Sequence, residues 1–162
     1  LNIALKNKPN YICIVPENRQ EITTEGGMNL LRNKKKIIKY ITKFKKKKIR
    51  TSLFINPNIS DVKLANELQT DCIELHTGRL SDLVKTQKNY LNELNKIKKC
   101  CIVAKQLGIE VHAGHGLDYK TTKIINKISF ISEFNIGHFI IGESIIHGLK
   151  NVIKKFKKIS NK

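Results

Sequence analysis

The chain has 162 residues, enough for one domain, and its 31 Lys+Arg against 13 Asp+Glu give a formal charge of +18. That charge does not make a nucleic-acid reader: only four of the basic residues are Arg (Arg19, Arg32, Arg50, Arg79) and aromatics are 6% of the chain, so bidentate base contacts and stacking platforms are scarce. No apolar run reaches the length of a transmembrane helix and no signal-peptide core is present, while Cys13, Cys72, Cys100 and Cys101 lack CxxC spacing, which fits a reducing cytoplasm.

Residues 2–5 read as helix, so the chain starts inside an element and is expected to be part of a longer polypeptide. Pro9-Asn10 turns into a strand over 11–15, ended by Pro16, with Cys13 as a small buried hydrophobe. Residues 17–27 follow as a polar loop holding Thr23, Thr24 and the pair Gly26-Gly27. Residues 28–48 read as helix with Leu30, Leu31, Ile37, Ile38, Ile41 and Phe44 as its apolar stripe and Lys45 to Lys48 at the dipole's negative end. A second strand over 51–55 stops at Asn56-Pro57-Asn58, and Ser60 is the expected cap of a helix reaching about Gln69. The third strand, 72–76, carries Glu74 inside an apolar run, where an unpaired carboxylate is expensive, and His76 shares its face by the two-residue period.

Residues 80–107 read as mostly helix up to Gly108, the more polar segment before Leu91 being a loop or an extra helical turn; the stretch is longer than an ordinary crossover, with part of it expected to cover a pocket or meet a partner chain. The fourth strand, 109–113, runs into Gly114-His115-Gly116, where two glycines clear the space around an imidazole. A short helix over 120–128 follows. A fifth strand starts near Glu133 and is expected to continue through Asn135-Ile136-Gly137-His138 to Gly142; a single helix over 143–159 closes the chain.

Strand and helix alternate five times, and the strands read as apolar on both faces, which predicts a parallel sheet covered by helices. Two folds fit: a complete flavodoxin-like doubly wound sheet, or five units of a (β/α)8 barrel, which needs about 250 residues in full. Sequential strand neighbours mean the barrel; a reversal means the doubly wound sheet. In both, the polar elements fall at strand C-terminal ends. Glycine-rich turns there make an anion hole from backbone amides, and the turns at 114–116 and 135–138 suit a phosphate, gripped also by His138. His115 is then set for proton transfer, and Glu74 for orienting a proton or stabilising a developing positive charge. His112, His115 and Glu74 can be drawn as a metal triad, but no metal-ligand motif, GxGxxG or P-loop occurs, so neither metal nor cofactor is expected.

The runs Val15-Pro16-Glu17-Asn18-Arg19-Gln20-Glu21-Ile22-Thr23-Thr24-Glu25-Gly26-Gly27, Ile73-Glu74-Leu75-His76-Thr77-Gly78, Ala113-Gly114-His115-Gly116-Leu117 and Asn135-Ile136-Gly137-His138 together resemble those of the pyridoxine 5′-phosphate synthase family, in order and spacing, across essentially all 162 residues. The resemblance implies a TIM barrel that condenses 3-amino-2-oxopropyl phosphate with 1-deoxy-D-xylulose 5-phosphate into pyridoxine 5′-phosphate, phosphate and water, the last step of de novo vitamin B6 synthesis. It implies a cytoplasmic homo-octamer acting on small phosphorylated substrates, without membrane or nucleic acid. Matched position by position, Thr23 contacts the deoxyxylulose phosphate, Glu74 stabilises the transition state and His115 is the proton donor. Gly116, Gly137 and His138 hold the aminooxopropyl phosphate. The resemblance begins near the helix before the family's fourth strand. Residues 1–162 are therefore expected to form one partial barrel domain, a C-terminal fragment lacking the first three strands, the general-base histidine and a second catalytic glutamate, and inactive alone. The alternatives are another phosphate-binding barrel enzyme and a basic nucleic-acid-binding domain.

Overall fold

The computed structural model describes residues 1–16 and 26–160. The loop bearing Thr23 lies outside them. After α1 (Asn2–Asn7) the chain alternates strand and helix: β1 (Tyr11–Ile14), α2 (Leu30–Lys45), β2 (Arg50–Ile55), α3 (Ile59–Glu67), β3 (Cys72–His76), then α4 (Gly78–Lys85) with α5 (Leu91–Gln106). It continues through β4 (Glu110–Gly114), α6 (Tyr119–Ile125), β5 (Ile131–Asn135), α7 (His138–His147) and α8 (Leu149–Ser160).

Side-chain caps set several helix starts. Asn29 accepts from the Arg32 amide at 2.9 Å and Asp118 from Thr121 at 2.7 Å. Asn58, not Ser60, caps α3, accepting from both the amide (3.0 Å) and the hydroxyl (2.8 Å) of Ser60. A side chain at the true cap must stand outside the first turn, and Ser60 already lies within it.

All five strands are parallel and sequential, β1-β2-β3-β4-β5. A doubly wound sheet requires a reversal, and this order has none. The fold is α/β with sequential parallel strands, the arrangement of an arc of a barrel. Sequential strands joined by crossovers of one hand put their helices on one side. That side carries the core: Leu53, Ile55, Ile73, Leu75, Val111 and Ala113 pack with Ile37, Ile41, Val62, Ala65, Ile97 and Ala104 from the helices.

The strands are therefore not apolar on both faces as expected. The alternate positions, Tyr11, Cys13, Ser52, Cys72, Glu74, Glu110, His112 and Asn135, line a polar second face, broken by Phe54 and Gly114. Cys13 is on this face and exposed rather than buried. Alternation was masked in the sequence because Cys and Phe occupy polar-face positions.

Other expectations change as well. In α2 the stripe is Leu30, Ile37, Ile41 and Phe44, while Leu31 and Ile38 sit about a quarter-turn away and are exposed. The stretch 80–107 is two helices, separated at 86–90 in the polar segment before Leu91, so the loop alternative holds there. The fifth strand ends at Asn135, and residues 138–142, expected to be strand, are the first turns of α7, with the Ile141 amide bonded to Gly137 O at 3.1 Å. The closing helix is likewise two, broken at Gly148 (φ 75°), and Ile145, Ile146 and Leu149 are exposed while Val152 and Phe156 are buried.

Candidate active site

At the C-terminal ends of the strands a cleft of about 780 Å³ is lined by Phe54, Glu74, His115, Asn135, Gly137 and His138 among others. It brings together five of the six residues singled out in the sequence: Glu74, His115, Gly116, Gly137 and His138. Thr23 is not among the described residues.

Glu74 is buried on β3, with 8% of its surface exposed. Its Oε2 accepts from Asn135 Nδ2 at 2.7 Å and from the Cys13 thiol at 3.4 Å. Burial raises its carboxyl above the ordinary carboxylate range, opposed by those two hydrogen bonds. Although Cys13 is exposed as a residue, the protein packed around its sulfur, with Glu74 beside it, pushes the thiol up to about 12, so Cys13 stays a donor.

Asn135 escaped the sequence reading. Val111 pairs with Ile131, but His112 pairs with Glu133, so Ser132 is an extra residue in β5. That single insertion turns Asn135 onto the polar face opposite Gly114, within reach of Glu74. Without it Phe134 would stand there and Asn135 would face the helices.

The turn after β4 is clamped from below. The fully buried Thr77 places its hydroxyl 2.7 Å from the carbonyls of both Gly114 and His115, and its amide donates to Gly114 O at 2.8 Å. His115 is held at φ 77° and Gly116 at φ 74°. The left-handed region costs a non-glycine residue about 1–3 kcal/mol, a strain that the clamp offsets. Besides clearing the space around the imidazole, the glycines make room for neighbouring side chains. A Cβ on Gly114 would collide with the Glu74 carboxylate, and one on Gly116 would press on Ser81 at 3.1 Å.

His115 is half-buried, and burial lowers its imidazole below its ordinary value, with Asp82 opposing and His138 and Lys85 assisting. His76 stacks on it, ring centroids 4.6 Å apart and planes 26° apart. Burial first, and His115 second, lower His76 to about 4. Across the cleft, Gly137 caps α7 and His138 is its first residue, so the positive end of that helix borders the site. From α4, Gly78, Asp82 and Lys85 also line the cleft, which accounts for part of the excess length in 80–107.

Further toward the strand N-termini, the polar face is filled by protein. Arg50 pairs with Glu110 at 2.5 Å, lies 3.3 Å from Cys72 Sγ and stacks over Tyr11 at 4.6 Å. Glu110 also meets His112 Nε2 at 3.0 Å, and its carboxyl is pulled down to about 2, mostly by Arg50. Among the described residues Cys72, Glu110 and His112 are the one trio whose ligand-type atoms lie within 4.8 Å of one another. The Arg50 guanidinium already supplies the positive charge there. The triad of His112, His115 and Glu74 drawn from the sequence is not gathered.

Parallel α/β proteins keep their chemistry beyond the carboxyl ends of their strands, and the grouping of proton-handling side chains there puts this chain among the α/β enzymes. The sequence narrows the class. Residues 1–162 match the family described as Pyridoxal phosphate biosynthesis protein PdxJ. The chain is 65% identical over 162 residues to the pyridoxine 5′-phosphate synthase of Pelagibacter ubique (strain HTCC1062), covering 100% of this chain and 68% of that protein. It is 44% identical over 164 residues to that of Wolbachia pipientis subsp. Culex pipiens (strain wPip), covering 100% and 68%. With that of Ehrlichia chaffeensis (strain ATCC CRL-10679 / Arkansas) it shares 41% over 158 residues, covering 98% and 64%. The chain belongs to this family, the pyridoxine 5′-phosphate synthases of vitamin B6 biosynthesis. It spans about two thirds of the length of these curated relatives.

Proposed function

We propose that this chain forms the part of a pyridoxine 5′-phosphate synthase that carries the proton donor and one phosphate site, condensing 3-amino-2-oxopropyl phosphate with 1-deoxy-D-xylulose 5-phosphate. The supporting observation is the strained His115 turn, clamped by Thr77 and facing the Glu74–Asn135 pair in one cleft. Strain held at a fixed cost is the mark of a residue whose direction matters.

His115 gives a proton to an oxygen leaving as water. Its lowered basicity makes the imidazolium a stronger acid than a free one. Glu74, desolvated and steered by Asn135, stabilises the positive charge that develops as amine and carbonyl condense. The amides of Gly116 and Gly137, the start of α7 and the His138 side chain hold the phosphate of the aminooxopropyl substrate. Thr23 contacts the deoxyxylulose phosphate.

Residues 1–162 make one partial barrel domain. β1 and β5 each have an unpaired edge among the described residues, and three more β/α units would join them into an eight-stranded barrel. The general base belongs to those units, so the chain alone is inactive. By the same resemblance the assembled enzyme is a cytoplasmic homo-octamer. The test is a chimaera that joins this chain to the part of the Pelagibacter ubique relative outside the match. Pyridoxine 5′-phosphate formation by the chimaera, its loss on His115→Asn, and none from the chain alone are the expected results. A folded but inactive chimaera overturns the assignment, and light scattering on the same sample tests the octamer.

A further inference from the structure

We propose that His76 is a positioning residue for His115: an uncharged imidazole that braces the proton donor from behind and keeps water from its inner face. Resting on the functional reading above, this adds a residue to the site that the motif matches assign no role.

The contacts are those of a brace. The His76 ring lies flat on His115, centroids 4.6 Å apart and planes 26° apart, and turns its edge to Phe54 at 5.4 Å and 77°. Phe54 also reaches His115 at 6.5 Å, so the three rings form one packed group. Gly78 makes room for it. A Cβ there would come within 2.7 Å of His76 Cε1 and 2.8 Å of His115 Cδ2. The two-residue period puts His76 on the face of Glu74, and its partner across β4 is Gly114, the residue before the donor.

The charge state follows from the surroundings. His76 Nε2 is buried and has no hydrogen-bond partner among the described residues. A cation there would be desolvated with one N–H unmet and would face a second imidazole. The other charged or titratable groups acting on the pair are Asp82 and Lys85 on α4, Glu93 on α5 and His138 on α7. The two carboxylates among them do not restore the charged form, since the net displacement of His76 is downward. A neutral His76 leaves the positive charge of the pair to His115 alone, which is what a proton donor requires.

The inference is tested by titrating His115 with imidazole ¹⁵N NMR in the chimaera, for the parent, His76→Ala, His76→Phe and Gly78→Ala. Phe keeps the flat face and removes both nitrogens. His115 is expected to titrate below its ordinary value in the parent and in His76→Phe. It is expected to rise by about half a pH unit or more in His76→Ala, where water reaches its inner face, and in Gly78→Ala, where the stack is forced apart. A His115 midpoint that is the same in all four proteins overturns the proposal, as does a midpoint that moves in His76→Phe as far as in His76→Ala. The readout is independent of turnover. An inactive chimaera whose His115 follows His76 removes the synthase reading and keeps the brace; an active one whose His115 ignores His76 does the reverse.

Discussion

At the residue scale, the site depends on what is missing from two glycines as much as on what its side chains offer. Gly114→Ala drives a methyl into the Glu74 carboxylate, which is held in place by Asn135. The expected outcome is a loss of about 1–3 kcal/mol in urea unfolding and a fall in kcat of the chimaera, with little change in KM. Glu74→Gln separates charge from shape. It keeps an acceptor for Asn135 and removes a buried carboxylate, so unfolding free energy at pH 7 is expected to hold or rise by about 1 kcal/mol while kcat drops by about 10²-fold or more. Acid sensitivity belongs to this scale too. His76 is lowered from 6.5 to about 4, so between those values the unfolded chain binds more protons than the folded one. Its contribution is complete above 6.5 and is lost as pH falls toward 4. Glu110, lowered from 4.5 to about 2, adds a second loss as pH falls through that window. Urea midpoints between pH 7 and pH 3 should show both slopes, the first reduced in His76→Phe, where His115 keeps its own share, and the second reduced in Arg50→Met, where His112 and Tyr11 still bond Glu110.

At the element scale, Thr77 shows how one strand end is held by the next. It follows β3, yet its hydroxyl and amide serve the turn after β4. Thr77→Val keeps the shape and the amide bond to Gly114 O but removes the hydroxyl shared by the Gly114 and His115 carbonyls. About 1–3 kcal/mol of stability should go with it, together with slower proton transfer by a less fixed His115, read as a drop in kcat. Much of the element pattern was legible in the sequence. Five apolar runs at βα spacing, each followed by turn residues, gave the strands, and Glu74, His115 and the 135–138 turn stood out because each breaks an apolar run. The start of α7 was not legible. Phe139-Ile140-Ile141 is equally good strand or helix by pattern, and the choice was made by β5 ending at Asn135, Gly137 capping α7 and the helix then closing its own backbone bonds.

At the scale of the whole molecule, the sheet has a continuous core on its helical side and an open arc on the other. The edges of β1 and β5, unpaired among the described residues, and the exposed Ile141, Ile145, Ile146 and Leu149 are features that chains conceal by pairing or packing. The isolated chain should therefore self-associate at micromolar concentration and unfold at low urea. Static light scattering and a denaturant titration check this, and a monodisperse, cooperative monomer would contradict it. The charge of +18 opposes that association at low ionic strength, so scattering should increase as salt is added.

The sequence by itself determined the alternation of elements, the family and the positions of the chemical groups, because these depend on residue type, local period and motif spacing. It did not determine which face each strand presents, and so it misread the sheet as apolar on both sides. The tertiary structure decided three things that depend on register between distant segments. One extra residue in β5 delivers Asn135 to Glu74. Thr77 reaches across to clamp the His115 turn. The bare Gly78 lets His76 lie against His115. Each is a contact between strand ends or their turns, for Asn135 and Glu74 across the bare Gly114 of β4, set by a single-residue register or a missing methyl, and no local pattern encodes either until the strands are laid side by side.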